Sequence, residues 1–546
     1  MKEKIAYCIY VSLLWIGIIP VIYAQHQYIP IIPQPNHFEL TNGKFTLRDG
    51  LSISASDKET EKAIRFLRDE LLNKYNIFSR QIENKDNDIR YSIVNKPKKV
   101  GLDSEGSYKL TVNEHGVHIQ ASTDVGLFYG SVSLLQLLDH FYTNKNKVDI
   151  PFMTIEDSPK FSWRGFMLDE SRHFFGKEKV KQLLDWMAYY KLNKFHWHLT
   201  DEPGWRVEVK KYPMLGKIGG IGTFTNPEIA AQYYTQEEIK EIVSYAKDRH
   251  IDVIPEIDMP GHATAANRAY PQFSGGGNRQ HPDFTFHPGK EGTYQYLTNI
   301  LKEINLLFPS GVVHLGGDEV SFGNDKWEAD TAIKALKVNY GLKNNKDVET
   351  YFMRRMADSL YHMGAQIAVW DEMADSGLPA DKTIQYWWRH DKVSQLDLAL
   401  KNGYPVVICP RIPFYFDFVQ EENHKVGRKW AGAYASLEQL YKYDFGDLLA
   451  KQQRKGQILG AQANLWTETI PTSERFDFMV FPRIAALAES VWTNDNVKDY
   501  AAFQEQLKAH LKLYKADNLY FYDPFSNSNP EPRVKVLGRQ YLDNPE

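Results

Sequence analysis

After Asp157-Ser158-Pro159 the chain settles into one repeating texture, short apolar runs alternating with long amphipathic stretches, and eight such runs precede Trp492. They fall at 165–169, 194–200, 252–257, 312–315, 366–370, 383–388, 405–409 and 458–466. Amphipathic stretches intervene at 177–191, 235–249, 293–307, 348–363, 392–401 and 474–491. Parallel strands need crossovers of a dozen or more residues, and strands covered by helices on both faces read as continuous apolar runs. Eight is the number of parallel strands that closes a barrel. A doubly wound open sheet would need a glycine-rich phosphate loop after an early strand, and the sequence has none. The expected class is α/β, a (β/α)8 TIM barrel over 158–492.

The barrel does not account for all 546 residues. Segment 28–157 mixes alternating stretches at 107–112 and 116–121 with helical ones at 60–75 and 125–139, the pattern of a smaller α+β domain. It holds no cluster of catalytic residue types and reads as support. Segment 493–546 has a helical stretch at 501–514 and a polar tail, an appendage packed on the barrel. At the other end Met1-Lys2-Glu3-Lys4, an apolar run over 5–23 and Ala24 read as a signal peptide over 1–24, with a retained membrane anchor as the alternative. No other segment is a membrane-span candidate.

Cys8 lies inside that leader, so Cys409 stands alone and no disulfide framework exists. No Asn-X-Ser/Thr acceptor is present, which favours a bacterial envelope: an exported protein, periplasmic, secreted or associated with the cell envelope. The formal net charge of -4, from 65 basic and 69 acidic residues, gives no footprint for nucleic acid or an anionic membrane. An uncharged or weakly charged partner is expected.

Barrel chemistry collects at the carboxyl ends of the strands. There the sequence places Asp169-Glu170-Ser171-Arg172-His173, His196-Trp197-His198-Leu199-Thr200-Asp201, Met259-Pro260-Gly261-His262, Trp370-Asp371-Glu372, Trp387-Trp388-Arg389, Tyr415-Phe416-Asp417 and Trp466-Thr467-Glu468. The fourth run ends in His314-Leu315-Gly316-Gly317-Asp318-Glu319. Neighbouring strand positions face opposite sides, so a continuing strand cannot aim both Asp318 and Glu319 inward, and the strand must end there. Tryptophans beside carboxylates and a tyrosine suit a sugar ring, whose C–H faces stack on indole while its hydroxyls bond to charged groups. His196 and His198, with His262, His314 and Asp318, raise a metal-dependent hydrolase as an alternative. The eighth run ends without a ligand aspartate and the first offers no paired histidines, so a hydrogen-bonded network holding Asp201 and Asp318 is the preferred reading.

His-Leu-Gly-Gly-Asp-Glu at 314–319, His-Trp-His-Leu-Thr-Asp at 196–201 and Met-Pro-Gly-His at 259–262 resemble glycoside hydrolase family 20, the β-N-acetylhexosaminidases, over about 30–492. By motif, the resemblance implies Glu319 as general acid/base, Asp318 as the residue that orients the substrate's 2-acetamido group, and Tyr415 as a donor to its carbonyl oxygen. Arg172 and Glu468 resemble the pair that grips the distal hydroxyls. Trp370, Trp466 and one of Trp387 or Trp388 resemble the aromatic walls, and Asp201, His262 and Asp417 match supporting positions. Motif alone does not separate Trp387 from Trp388.

The resemblance further implies an exo-acting, retaining, substrate-assisted mechanism in which the acetamido oxygen is the nucleophile, with no metal or organic cofactor and a glycan as the partner. Glu319 then needs a raised pKa, supplied by Asp318 and a water-poor pocket. The alternatives are a family-20 relative of shifted specificity, such as a lacto-N-biosidase type, and a non-catalytic glycan-binding protein on the same scaffold.

Overall fold

The structure is a computed structural model that describes residues 29–55, 60–82, 88–94, 104–142, 147–450, 457–532 and 542–543. The leader assigned to 1–24 lies outside the described residues. Among the described residues, no helix is long and apolar enough to cross a membrane.

Seven strands precede the barrel: β1 (His37–Arg48), β2 (Leu51–Ala55), β3 (Ser79–Gln81), β4 (Ile89–Ile93), β5 (Tyr108–Asn113), β6 (Gly116–Ala121) and β7 (Lys147–Asp157). They form one mixed sheet in the order β1-β7-β5-β6-β4-β2-β3. Helices Glu61–Tyr75 and Asp124–Phe141 pack together, the second also lying against β5, β6 and β7. This second helix is buried at every position from Gly126 to Leu138, which suits an element covered on more than one side.

Two polar anchors join this layer to the barrel. Gln136 Nε2 donates at 2.7 Å to the carbonyls of Ile32 and Tyr189. Asp157, at the end of β7, accepts from Tyr108 Oη and Trp492 Nε1 and pairs with a fully buried Lys191 at 3.2 Å. A buried charge of this kind persists only where it is paired and hydrogen-bonded.

The barrel strands are β8 (Trp163–Asp169), β9 (Lys194–His198), β10 (Asp252–Met259), β13 (Val312–Gly316), β14 (Gln366–Trp370), β15 (Thr383–Trp387), β16 (Pro405–Ile408) and β18 (Gln457–Leu465). They close in chain order, each parallel to its neighbours. A small ribbon, β11 (Ser274–Gly276) with β12 (Thr285–Phe286), follows β10, and β17 (Gly427–Arg428) lies in the long connection after β16.

Two expectations need adjusting. The 474–491 stretch is two helices, Ser473–Val480 and Arg483–Trp492, broken at Phe481-Pro482, because proline has no N–H to continue the ladder. The strand expected over 383–388 ends at Trp387, and alternation then sorts its side chains. Ile384 and Tyr386 join the cluster inside the barrel, whereas Trp387 joins the outer core and donates Nε1 to the Lys392 carbonyl at 3.3 Å.

The helix Tyr500–Ala516 packs on the barrel helix Lys177–Tyr189 and its C-terminal neighbour Tyr190: Tyr190 Oη meets Tyr514 Oη at 2.5 Å and His510 Nδ1 at 3.0 Å. Gln506 Nε2 reaches back to the Ile29 carbonyl at 2.9 Å.

Candidate active site

β13 stops at Gly316 with a left-handed turn, φ 69° at Gly316 and 87° at Gly317. A side chain at Gly316 would place its Cβ 2.3 Å from Asp258 Oδ1, so only glycine fits between the ends of β10 and β13. The turn carries Asp318 and Glu319 off the strand so that both can face one cleft. Glu319 itself has φ 52°, unusual for a residue with a side chain and typical of positions held in place by their surroundings. His262, also left-handed at φ 55°, stands between the acids and the neighbouring loop. Its Nδ1 lies 3.1 Å from Asp201 Oδ1, and its Nε2 lies 3.5 Å from Asp318 Oδ2 and 3.7 Å from Glu319 Oε2.

Aromatic rings line the interior beside these acids. Trp370 and Trp466 lie 5.9 Å apart between centroids, Tyr415 lies 6.1 Å from Trp466, and Trp388 stacks on Tyr415 at 6.3 Å and 14°. Trp370 is fixed from below, its Nε1 donating to Glu256 Oε1 at 2.8 Å, and Trp388 from the side through Nε1 to Glu372 Oε2 at 3.1 Å. Trp387, a site candidate from the sequence, is excluded from the cleft because its ring faces the helices.

Charged groups close the far end. Arg172 Nη2 pairs with Asp201 Oδ2 at 2.7 Å, lies 4.0 Å from Glu468 Oε1, and its guanidinium sits over the Trp466 ring at 5.1 Å. Arg428, which the sequence reading missed, bridges Asp417 Oδ2 and Glu468 Oε1 at 3.0 Å each and rests on Trp430 at 4.5 Å. Glu372, Asp258 and Trp430 were likewise not singled out. Arg428 and Trp430 lie in a long connection without periodicity, where no strand-end rule points to them; Glu372 stood within a quoted strand end and Asp258 directly precedes the quoted Met259-Pro260-Gly261-His262, so both had a positional signal.

Beneath the cleft lies a second buried layer. Glu256 lies 2.7 Å from His314 Nδ1 and 2.9 Å from His196 Nε2, and His198 Nε2 meets Asp258 Oδ2 at 3.0 Å. His196, Glu256 and His314, and separately His262, Asp318 and Glu319, bring potential ligand atoms within 4.8 Å of one another, so either trio could hold a cation. In the lower trio those atoms already pair with one another around Glu256, beneath the Trp370 ring.

The electrostatics follow from burial and neighbours. Burial, the water-poor pocket expected from the resemblance, pushes the Glu319 carboxyl above the usual range, His262 opposes the shift and Glu372 adds to it, while the repulsion between the two adjacent acids is felt at Asp318. Glu319 keeps 32% of its side-chain surface exposed, so it sits at the mouth. Asp318 is pushed well up by burial, opposed by His262 and reinforced by Asp258 and Glu319. His262 is raised: burial works against its charge, but Asp201 and Asp318 outweigh it. Asp201 is lowered despite burial because Arg172 and His262 flank it. Asp258 is pushed up to about 7 by burial and by Glu256.

Comparison with known proteins places this arrangement. The model described as glycosyl hydrolase family 20, catalytic domain, matches residues 161–495, and that for domain 2 of the same family matches 28–158. The chain belongs to glycosyl hydrolase family 20. It is 35% identical to a beta-hexosaminidase of Porphyromonas gingivalis over 88% of this chain and 62% of that protein, so it spans under two thirds of that relative's length. A beta-hexosaminidase of Vibrio furnissii is 34% identical over 85% of this chain and 76% of its own. The crystal structure of an exo beta-N-acetylglucosaminidase from Vibrio harveyi, in complex with N-acetylglucosamine, superposes with a TM-score of 0.82 at 32% identity, covering 91% of this chain and 79% of that one.

In this family-20 chain Asp318, Glu319, Tyr415, Arg172, Asp201, His262, Trp370, Trp388, Asp417, Trp466 and Glu468 all converge at the carboxyl end of the barrel. The barrel and the preceding smaller domain are those of the family.

Proposed function

We propose that this chain is an exo-acting, retaining β-N-acetylhexosaminidase that releases terminal non-reducing N-acetylglucosamine or N-acetylgalactosamine by substrate-assisted catalysis. The observation that carries the reading is the meeting of Asp318, Glu319 and His262 beside an indole-walled cleft whose far end is closed by Arg172, Glu468 and Arg428. A cleft closed in this way admits the end of a glycan and not its middle. The names of the relatives point the same way.

Protonated Glu319 donates its proton to the glycosidic oxygen as the C1–O bond breaks, while the acetamido carbonyl oxygen bonds to C1 from the opposite face. A cyclic oxazolinium results. Glu319, now a carboxylate, takes a proton from water as that water opens the ring at C1, and the configuration is retained. Asp318 accepts from the acetamido N–H and balances the positive charge that develops there. Tyr415 donates to the acetamido oxygen. Of the carboxylates that could replace the substrate's nucleophile, Asp371 is held by Arg389 at 2.6 Å and Asp417 by Arg428 at 3.0 Å. Both are engaged elsewhere.

The raised Asp318 describes the empty cleft, where a buried carboxylate faces like charges. An amide N–H and a growing cation bring it back toward the ionised form. The same reading divides the chain into an export signal at 1–24, the smaller domain at 28–157, the barrel at 158–492 and the appendage at 493–546, in a periplasmic or secreted protein. Hydrolysis of chromogenic β-N-acetylglucosaminide and β-N-acetylgalactosaminide tests the activity. Analysis of the first products from a labelled oligosaccharide tests the exo mode, and early internal fragments would contradict it.

A further inference from the structure

The polar tail that follows the helix Tyr500–Ala516 folds into a fixed turn. The Asp523 N–H donates to Asn529 Oδ1 at 2.8 Å, Asn529 Nδ2 donates to the Asp523 carbonyl at 2.8 Å, and Tyr520 Oη donates to the Pro530 carbonyl at 2.8 Å. The next residue is Glu531. Its carboxylate accepts from two successive backbone N–H groups of the long connection after β16, Lys425 on Oε1 at 2.7 Å and Val426 on Oε2 at 3.0 Å. Arg475, fully buried on the helix Ser473–Val480, completes the junction: its Nη1 pairs with Glu531 Oε2 at 3.3 Å and its Nη2 donates to the Val426 carbonyl.

Those two N–H groups lead directly into β17, whose second residue is Arg428. The Arg428 N–H donates to the Asp417 carbonyl at 2.9 Å, and its carbonyl accepts from the Val419 N–H at 3.1 Å. β17 also pairs with β19 (Leu542–Asp543), again part of the tail. Gly427 leaves no slack between these contacts: at φ 121°, a Cβ there would stand 2.9 Å from Val419 Cγ1 and 3.2 Å from Arg475 Nη2. A carboxylate that is bound at both oxygens fixes the orientation of its partners as well as their position.

We propose that Glu531 is a positioning residue for the sugar grip, setting Arg428 through the 425–428 backbone so that its guanidinium spans Asp417 and Glu468. The proposal rests on the reading of this cleft as the seat of a terminal N-acetylhexosamine, with Glu468 on its distal hydroxyls. Arg428 holds each of the two carboxylates at 3.0 Å, and a shift of about 1 Å in its backbone would break one contact or the other. Without the Glu531 carboxylate, the Lys425 and Val426 N–H groups must turn toward other acceptors. Glu531 acts on the sugar only by this route, so its effect belongs to binding and not to proton transfer.

The test measures kcat and KM on a chromogenic β-N-acetylglucosaminide, and the inhibition constant of N-acetylglucosamine, for the full chain as wild type, Glu531→Ala, Arg428→Met and the double variant. Glu531→Ala should raise KM and the inhibition constant together by about tenfold, with kcat within about threefold of wild type. In the Arg428→Met background the same substitution should change either constant by no more than about twofold, because its route to the sugar is already cut. Glu531→Gln keeps the shape and one of the two acceptors, so it should fall between, and it carries the cycle if the alanine variant does not fold. An unchanged KM with only a lower thermal midpoint, or losses that multiply in the double variant, would overturn the proposal while leaving the hydrolase reading intact. If wild type hydrolysed no such glycoside, the reading of the cleft would fail and the role of Glu531 with it.

Discussion

At the scale of single residues the account turns on a carboxyl that must hold a proton beside one that must not. Glu319→Gln keeps the shape but cannot exchange a proton, so kcat on substrates with poor leaving groups should fall by about a hundredfold or more, with ligand affinity nearly unchanged. Steady-state kinetics alongside product-inhibition constants checks this. On the proposed mechanism Glu319 works protonated, so activity should be lost as pH rises through its raised pKa, and Asp318 works ionised, so activity should be lost as pH falls through its own. Both limbs of the kcat/KM profile should therefore lie above the ordinary carboxylate range, and they belong to the coupled pair. Glu372→Gln removes the leading like charge on Glu319 while keeping an acceptor for Trp388, so the basic limb should move to lower pH. An unmoved limb would remove Glu372 from the account. The adjacent letters Asp318-Glu319 carried the repulsion between the two acids, but not the contribution of Glu372, which arrives from the end of the next strand.

At the scale of elements, the barrel was legible because its strands are buried on both faces and its helices carry one apolar side. The pair Trp387-Trp388 was not, because the choice depends on the residue at which β15 ends, a one-residue matter that flips a side chain from cleft to helix layer. The break at Pro482 was equally hidden, since the apolar periodicity runs through it. Arg428 is the clearest omission. It enters on two residues of β17 and holds Asp417 and Glu468 together, and Asp417 is already pushed up to about 7 by burial, with Arg428 opposing. Arg428→Met should leave both carboxylates misplaced and raise KM about tenfold or more, with a smaller effect on kcat. Arg428→Lys should recover only part, since one ammonium cannot bridge two carboxylates as a guanidinium does. Full recovery by lysine would mean that charge alone suffices there.

At the scale of the molecule, the smaller domain is joined to the barrel through Asp157, Lys191, Tyr108 and Trp492, all buried. Lys191→Met strands the Asp157 carboxylate in that junction, a loss of about 3 kcal/mol or more. Denaturant unfolding followed by tryptophan fluorescence should show a lower midpoint, while kcat of the folded enzyme stays near wild type because the junction is remote from Glu319. A strong fall in kcat without a loss of stability would mean that the smaller domain shapes the cleft. The sequence marked this domain as support from its lack of catalytic residue types, but the junction itself joins residues far apart in the chain, which no local pattern reveals.

The central claim is that the substrate supplies its own nucleophile under the control of Asp318. It is tested most directly by a kinetic cycle of wild type and Asp318→Asn on a β-N-acetylglucosaminide and on the matching glucoside, in which hydroxyl replaces acetamido. Losing the acetamido group should cost wild type several powers of ten in kcat/KM, and Asp318→Asn should slow the acetamido substrate sharply while barely changing residual turnover of the glucoside. If the two losses simply multiplied, Asp318 and the acetamido group would not act together, and a carboxylate of the protein would have to be the nucleophile.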